Sequence, residues 1–129
     1  MLSVDTNILV RFITHDEPRQ TAAAIKLMGT ADVWISKTVL LETEWVLRSG
    51  YGFNPGRVSE ALRRLAGMAN VVLEEPLVVA EALDLFSAGL DFADALHVAS
   101  SGDAKRFVTF DTKLARRAKG KTRVEVTPI

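Results

Sequence analysis

The sequence predicts a three-layer α/β/α domain built on a parallel sheet of four or five strands. Three observations carry that expectation. Short β-prone runs alternate with helical segments along the whole chain, an order that gives parallel strands joined by right-handed crossovers. Those runs are almost wholly apolar, as in Val33-Trp34-Ile35 and Val71-Val72-Leu73, which suits strands covered on both faces. The chain has 129 residues, enough for one hydrophobic core but too few to divide into two. A single domain over 1–129 is therefore expected.

The elements follow in order. Residues 1–5 read as a strand ending in Asp5, and TNILVRFI at 6–13 reads as a mostly apolar helix. His15 to Pro18 forms a loop, with Pro18 suited to a helical first turn. Helix 19–28 puts Ala22, Ile25 and Met28 on one face, and Gly29 fits its end. Residues 33–35 are a strand. Helix 37–49 closes at Gly50 and Gly52. Asn54-Pro55-Gly56 opens helix 56–69, where Val58, Leu62, Leu65, Ala66 and Ala69 recur with helical periodicity. Asn70 ends it before strand 71–73. Pro76 begins a helix to about residue 88 with Val79, Leu83 and Phe86 on one face, stopped by Gly89. Helix 92–100 ends at Gly102. Phe107 to Phe110 is a strand, 112–119 a short basic helix, and Val124 to Thr127 a last strand.

Composition excludes several classes of function. Apolar residues make up 48% and charged residues 25%, which argues against disorder. The absence of cysteine removes disulfides, zinc-thiolate sites, iron–sulfur clusters and thiol nucleophiles. No apolar run approaches the roughly 20 residues of a membrane helix. Asp5 interrupts the first apolar stretch, so a secretory leader is not expected and the expected compartment is the cytoplasm. Net charge is zero, yet residues 105–123 hold eight of the 16 basic side chains and one acid, Asp111. Such a patch suits a polyanionic partner. It also suits a solvated helix with cations near its negative end.

The acids carry the chemistry. In open α/β sheets, sites lie outside the carboxyl ends of the strands, where Asp5 and Asp111 fall. Asp91 and Asp94 open the helix in GLDFADALH, and Glu42 lies within TVLLETEWVL. Asp5, Asp91 and Asp111 each precede a helix, so N-capping accounts equally well for any one of them. Glu42 has no basic neighbour at helical spacing. An acid on an apolar helix face needs a partner, because burying it alone is expensive. Glu44 has Arg48 at i+4, which reads as a surface ion pair. A site gathering Asp5, Glu42, Asp94 and Asp111 would mass negative charge that a hard divalent cation, Mg²⁺ or Mn²⁺, would neutralise. No Walker lysine motif, nucleophile elbow or HExxH is present.

Four segments together resemble the PIN-domain ribonucleases, most closely the VapC-type toxins of VapBC toxin–antitoxin systems. They are VDTNILVR at 4–11, ISKTVLLETEWVLRSGYG at 35–52, GLDFADALHVA at 89–99 and VTFDTKL at 108–114. They stand in family order and span almost the whole chain. The resemblance implies a PIN-like fold and a Mg²⁺- or Mn²⁺-dependent endoribonuclease whose metal is held by Asp5, Glu42, Asp94 and Asp111. Thr6, Asn7 and Thr109 match flanking polar positions that orient carboxylates or water, and Asp91 is an auxiliary acid or a cap. Glu44 stands where similar proteins often carry an apolar residue. The resemblance also implies an RNA substrate, products with a 5′-phosphate and a 3′-hydroxyl, a homodimer, and a small antitoxin that covers the site.

Two rivals differ in class. A phosphatase of the haloacid dehalogenase type also places an aspartate after its first strand, but needs a second acid two residues on, where Asn7 stands. A degenerate PIN domain would only bind protein or RNA, and would not need four acids. His97, at i+3 from Asp94, reads as a structural histidine that finds a partner. His15 reads as a loop residue, and Trp45 and Phe86 as packing residues.

Overall fold

A computed structural model describes residues 1–129. The chain runs β1 (Leu2–Ser3), α1 (Thr6–Thr14), α2 (Pro18–Thr30), β2 (Val33–Ile35), α3 (Lys37–Tyr51), α4 (Pro55–Ala66), β3 (Val71–Leu73), α5 (Pro76–Ser87), α6 (Phe92–Ala99), β4 (Arg106–Thr109), α7 (Thr112–Ala118) and β5 (Glu125–Pro128). Every strand pairing is parallel, and the fold class is α/β, as expected. The five strands hydrogen-bond as a three-stranded sheet, in the order β1-β2-β3, and a two-stranded sheet, β4-β5. Two compact units divide the chain, Met1–Glu75 and Pro76–Ile129.

In the first unit β2 is the central strand, with Leu2 opposite Val33 and Ile35 opposite Leu73. Val33 and Ile35 are fully buried. The core is completed by Leu9 and Val10 of α1, Met28 of α2, Leu40 and Leu47 of α3, and Val58, Leu62 and Leu65 of α4. Polar residues set the helix starts. Ser36 accepts from the Val39 amide at 3.1 Å and Asn54 from the Arg57 amide at 2.9 Å, satisfying amides that the first turn leaves without partners. Gly52 closes α3 at φ 68°, a left-handed conformation open to glycine without strain.

In the second unit β4 and β5 pair with Phe107 opposite Val126. The α5 and α6 helices pack on each other, with the Phe86 ring edge-on to Phe92 at 5.4 Å between centroids. Phe86 is therefore a packing residue, as expected. Leu114, Ala118 and Val124 form the core where α7 meets β5.

Several expectations need correction. The first strand is two residues long, not five, because Asp5 already caps α1. The buried face of α2 is Thr21, Ala24 and Met28, while Ala22 and Ile25 are exposed. Glu17 caps α2 and the Thr21 hydroxyl reaches the Arg11 carbonyl, which sets the helix phase. Gly29 and Gly50 lie inside α2 and α3 rather than ending them, since an unbroken backbone ladder tolerates glycine at modest cost. The α4 helix ends at Ala66, and Ala66 and Ala69 are exposed. Burial of the strands holds at Val33 and Ile35 of β2 and at Leu73 of β3 but not along the rest. Leu2, Val72 and Val108 are exposed, and they belong to strands with a neighbour on one side only. Phe110 lies beyond β4 and is exposed.

Candidate active site

The first unit contributes Asp5 and Glu42. Asp5 follows β1 in extended conformation and caps α1, accepting from the Ile8 amide at 3.4 Å. Thr6 and Asn7 are the first two residues of that helix. Thr6 is buried and its hydroxyl donates to Glu42 Oε1, which ties the start of α1 to the middle of α3. Asn7 is exposed. Glu42 is itself exposed, so its helix face is not the apolar one that the sequence suggested. The core stripe of α3 is Leu40, Thr43, Glu44 and Leu47, and Glu42 stands outside it. The partner that Glu42 needs is a hydroxyl and not a cation.

Glu44 is the acid that is buried. Its side chain is 2% exposed and takes Arg48 Nε at 2.8 Å. The ion pair expected from the i+4 spacing is present, but the carboxylate is not on the surface. The arginine carries the exposure, at 45%. A long amphipathic side chain can hold its charge at the boundary while its partner stays inside.

The second unit contributes Asp91, Asp94 and Asp111. Asp91 caps α6 through the Ala93 amide at 3.1 Å and the Asp94 amide at 3.4 Å. Asp111 caps α7 through the Lys113 amide at 2.9 Å and the Leu114 amide at 3.0 Å. Thr109 Oγ1 accepts from the Asp111 amide at 3.0 Å and so fixes the backbone that carries this acid. Asp94 is half-buried on α6. Burial raises its carboxyl above the ordinary carboxylate value, and the charges of Asp91 and then Asp111 raise it further. Asp91 and Asp111 thus both lie within electrostatic reach of Asp94. His97 is exposed and so is not a core residue, and it acts on Asp94 in the direction opposite to burial and to the neighbouring acids. His15 is an exposed residue in the left-handed region at φ 56°, where it ends α1.

All eight basic residues of segment 105–123 are exposed. Arg123 donates to the Gly102 carbonyl at 2.8 Å and Lys121 to the Ala88 carbonyl at 3.4 Å. Arg116 and Arg117 occupy the last turn of α7, where the helix dipole favours cations. Trp45 is 58% exposed and is not the packing residue that its size suggested. Sequence reading also missed a network at the far end of α1. Arg11 donates to the Tyr51 hydroxyl at 2.9 Å and to Asp16 at 3.1 Å, and Tyr51 donates to Asp16. Nothing in the local spacing of those three residues signals that they meet.

A PIN domain family profile matches residues 2–120. The chain belongs to the PIN domain family. No curated protein and no solved structure matches it significantly. PIN domains are generally nuclease modules that use divalent metal ions, and the donors in this PIN domain suit such an ion. They are carboxylate oxygens, the ligands that Mg²⁺ and Mn²⁺ prefer. Burial and then the charges of Asp91 and Asp111 raise Asp94, and a bound cation would oppose both effects. No three such groups in the structure are gathered tightly enough to enclose an ion.

Proposed function

We propose that this PIN domain is a Mg²⁺- or Mn²⁺-dependent endoribonuclease, the toxin of a type II toxin–antitoxin pair. The observation that carries the reading is the PIN domain family profile. In this reading Asp5, Glu42, Asp94 and Asp111 act as one set. The profile covers residues 2–120, a span that contains all four acids.

The bound ion would supply Lewis-acid stabilisation at the scissile phosphate and an activated water. The protein supplies the positioning. Thr6 holds the Glu42 carboxylate through its hydroxyl. Thr109 holds the Asp111 backbone, and Asp91 adds charge beside Asp94. Asn7, next to Thr6 at the start of α1, serves the Asp5 carboxylate or its water. The cations of segment 105–123 hold the RNA backbone without reading bases.

The chain works in the cytoplasm as a homodimer, held in check by a small antitoxin protein that covers the acids. No helix is long and apolar enough to cross a membrane. Incubating purified protein with total RNA and Mn²⁺, beside an EDTA control, tests the reading. Metal-dependent cleavage with 5′-phosphate ends is expected. Binding of RNA without cleavage under any divalent ion would leave a degenerate binding module instead.

A further inference from the structure

The carboxylates of Glu74 and Glu75 both bind Lys37, the first residue of α3. Glu74 Oε1 accepts from the Lys37 backbone amide at 2.9 Å, and Glu75 Oε1 takes Lys37 Nζ at 2.6 Å. Helix starts are ordinarily capped from the residue just before them, and that cap is already present, since Ser36 takes the Val39 amide. Glu74 reaches a second amide of the same turn from 37 positions away. It is a firm anchor, because its own amide donates to the Ile35 carbonyl at 2.9 Å and extends the pairing of β2 with β3. Glu75 then takes the left-handed region at φ 46°, a sparsely populated conformation for glutamate that carries strain. The buried stripe of α3 begins at Leu40, which leaves polar ties to fix the turn before it.

We propose that Glu74 is a positioning residue for Glu42. The inference rests on the nuclease reading above and adds a residue outside its four acids. Ser36 and Glu74 directly follow β2 and β3, and Asp5 comes two residues after β1. All three therefore stand at the carboxyl ends of neighbouring parallel strands, where sites lie in open α/β sheets. Glu42 is five residues past Lys37 on the same helix, about 7.5 Å along its axis. A helix moves as a rod over so short a stretch, so a shift of its start carries to Glu42. The Thr6 hydroxyl holds that carboxylate from α1, and a hydrogen bond of this kind tolerates only about half an ångström. Thr6 sets where the carboxylate points, and Glu74 sets where the helix that carries it stands. A ligand misplaced by about 1 Å loses much of its worth to a site.

The test uses the full chain. Mn²⁺ binding is read without RNA, by loss of the free-ion EPR signal, beside Mn²⁺-dependent cleavage of total RNA and a thermal melt. Glu74→Ala removes the acceptor and should weaken Mn²⁺ about tenfold, the low end of the loss when an orienting group is removed. Glu74→Gln keeps a neutral oxygen for the Lys37 amide and should restore most of that affinity. Lys37→Pro removes the amide instead, at a helix position that suits proline, and should match Glu74→Ala. It carries the test if Glu74→Ala does not fold. Asn54→Ala uncaps α4 and serves as the stability control, melting lower with Mn²⁺ affinity unchanged. Glu74→Ala combined with Thr6→Val should lose less than the product of the single losses, because both act on Glu42. Unchanged Mn²⁺ affinity in a folded Glu74→Ala or Lys37→Pro variant would overturn the proposal and leave the nuclease reading intact. So would a matching loss in Asn54→Ala, which would make the effect one of stability, or the full product in the double variant. A Glu74→Gln variant as weak as Glu74→Ala would also overturn it, since Glu74 would then act through its charge. A wild-type protein that neither binds Mn²⁺ nor cleaves RNA would overturn both readings.

Discussion

The Thr6 hydroxyl donates to Glu42 Oε1, joining the residue after Asp5 to an acid 36 positions away. That bond fixes an exposed carboxylate from a buried anchor. Thr6→Val keeps the branched shape and removes the donor. We expect the variant to fold with a loss of about 1 kcal/mol, the usual net worth of one hydrogen bond. Metal affinity should fall about 10- to 100-fold, as when a ligand loses its orienting partner, and Thr6→Ser should recover it. Mn²⁺ titration of cleavage, beside a thermal melt, checks both arms.

Two acids two residues apart on α3 should separate cleanly by kinetics. Glu42 is exposed and Glu44 is buried against Arg48. Glu42→Gln removes a proposed metal ligand, and kcat should collapse with little change in melting temperature. Glu44→Gln weakens a charged hydrogen bond and should destabilise by about 1.5–3 kcal/mol. Its effect on kcat should be small. The reverse pattern would place Glu44, and not Glu42, in the metal site.

The difference between those two acids also shows how far the sequence can be read. Strand and helix order was legible because β-branched runs alternate with helical periodicity, and the caps at Asp5, Asp91 and Asp111 were legible because aspartate precedes each helix. Burial on α3 was not. Leu40, Thr43, Glu44 and Leu47 recur at i, i+3, i+4 and i+7, but two polar members hide that stripe, while Trp45 advertises the wrong face. The α2 face slipped by one residue for a similar reason, since Thr21 takes a core position and Ile25 does not. Thr6 with Glu42, and Arg11 with Asp16 and Tyr51, are tertiary contacts with no local spacing rule.

That last network gives an acid-stability expectation. The Tyr51 hydroxyl, chiefly, holds the Asp16 carboxyl below its ordinary 3.8, with Thr14 and Arg11 acting in the same direction. A carboxylate depressed on folding stabilises the protein above its unfolded pKa. The contribution is lost as pH falls through the lowered folded value. Asp16→Asn should therefore melt lower than wild type at neutral pH, and the gap should close in strong acid. Tyr51→Phe should keep the carboxylate but move wild type's acid limb to higher pH. Melts followed down through the carboxylate range decide it. A gap that stays constant with pH would show that Asp16 acts through packing alone.

Asp5→Asn separates capping from metal binding. Asp5 accepts the Ile8 amide at the start of α1, and asparagine caps about as well as aspartate. A residue that only caps would leave the variant with near-normal stability and near-normal cleavage. A metal ligand would leave the fold intact but remove cleavage and weaken Mn²⁺ binding, because the amide supplies one neutral oxygen where the carboxylate supplied charge. Stability without metal should hold or rise, since one negative charge leaves a set of acids that repel. Added Mn²⁺ should then raise the melting temperature of wild type more than that of the variant, because an ion that binds only the folded state stabilises it in proportion to its affinity. Total RNA incubated with Mn²⁺, beside melts with and without the ion, gives all three readouts. Full cleavage by a folded Asp5→Asn variant would remove Asp5 from the metal site and leave the cap as its whole role.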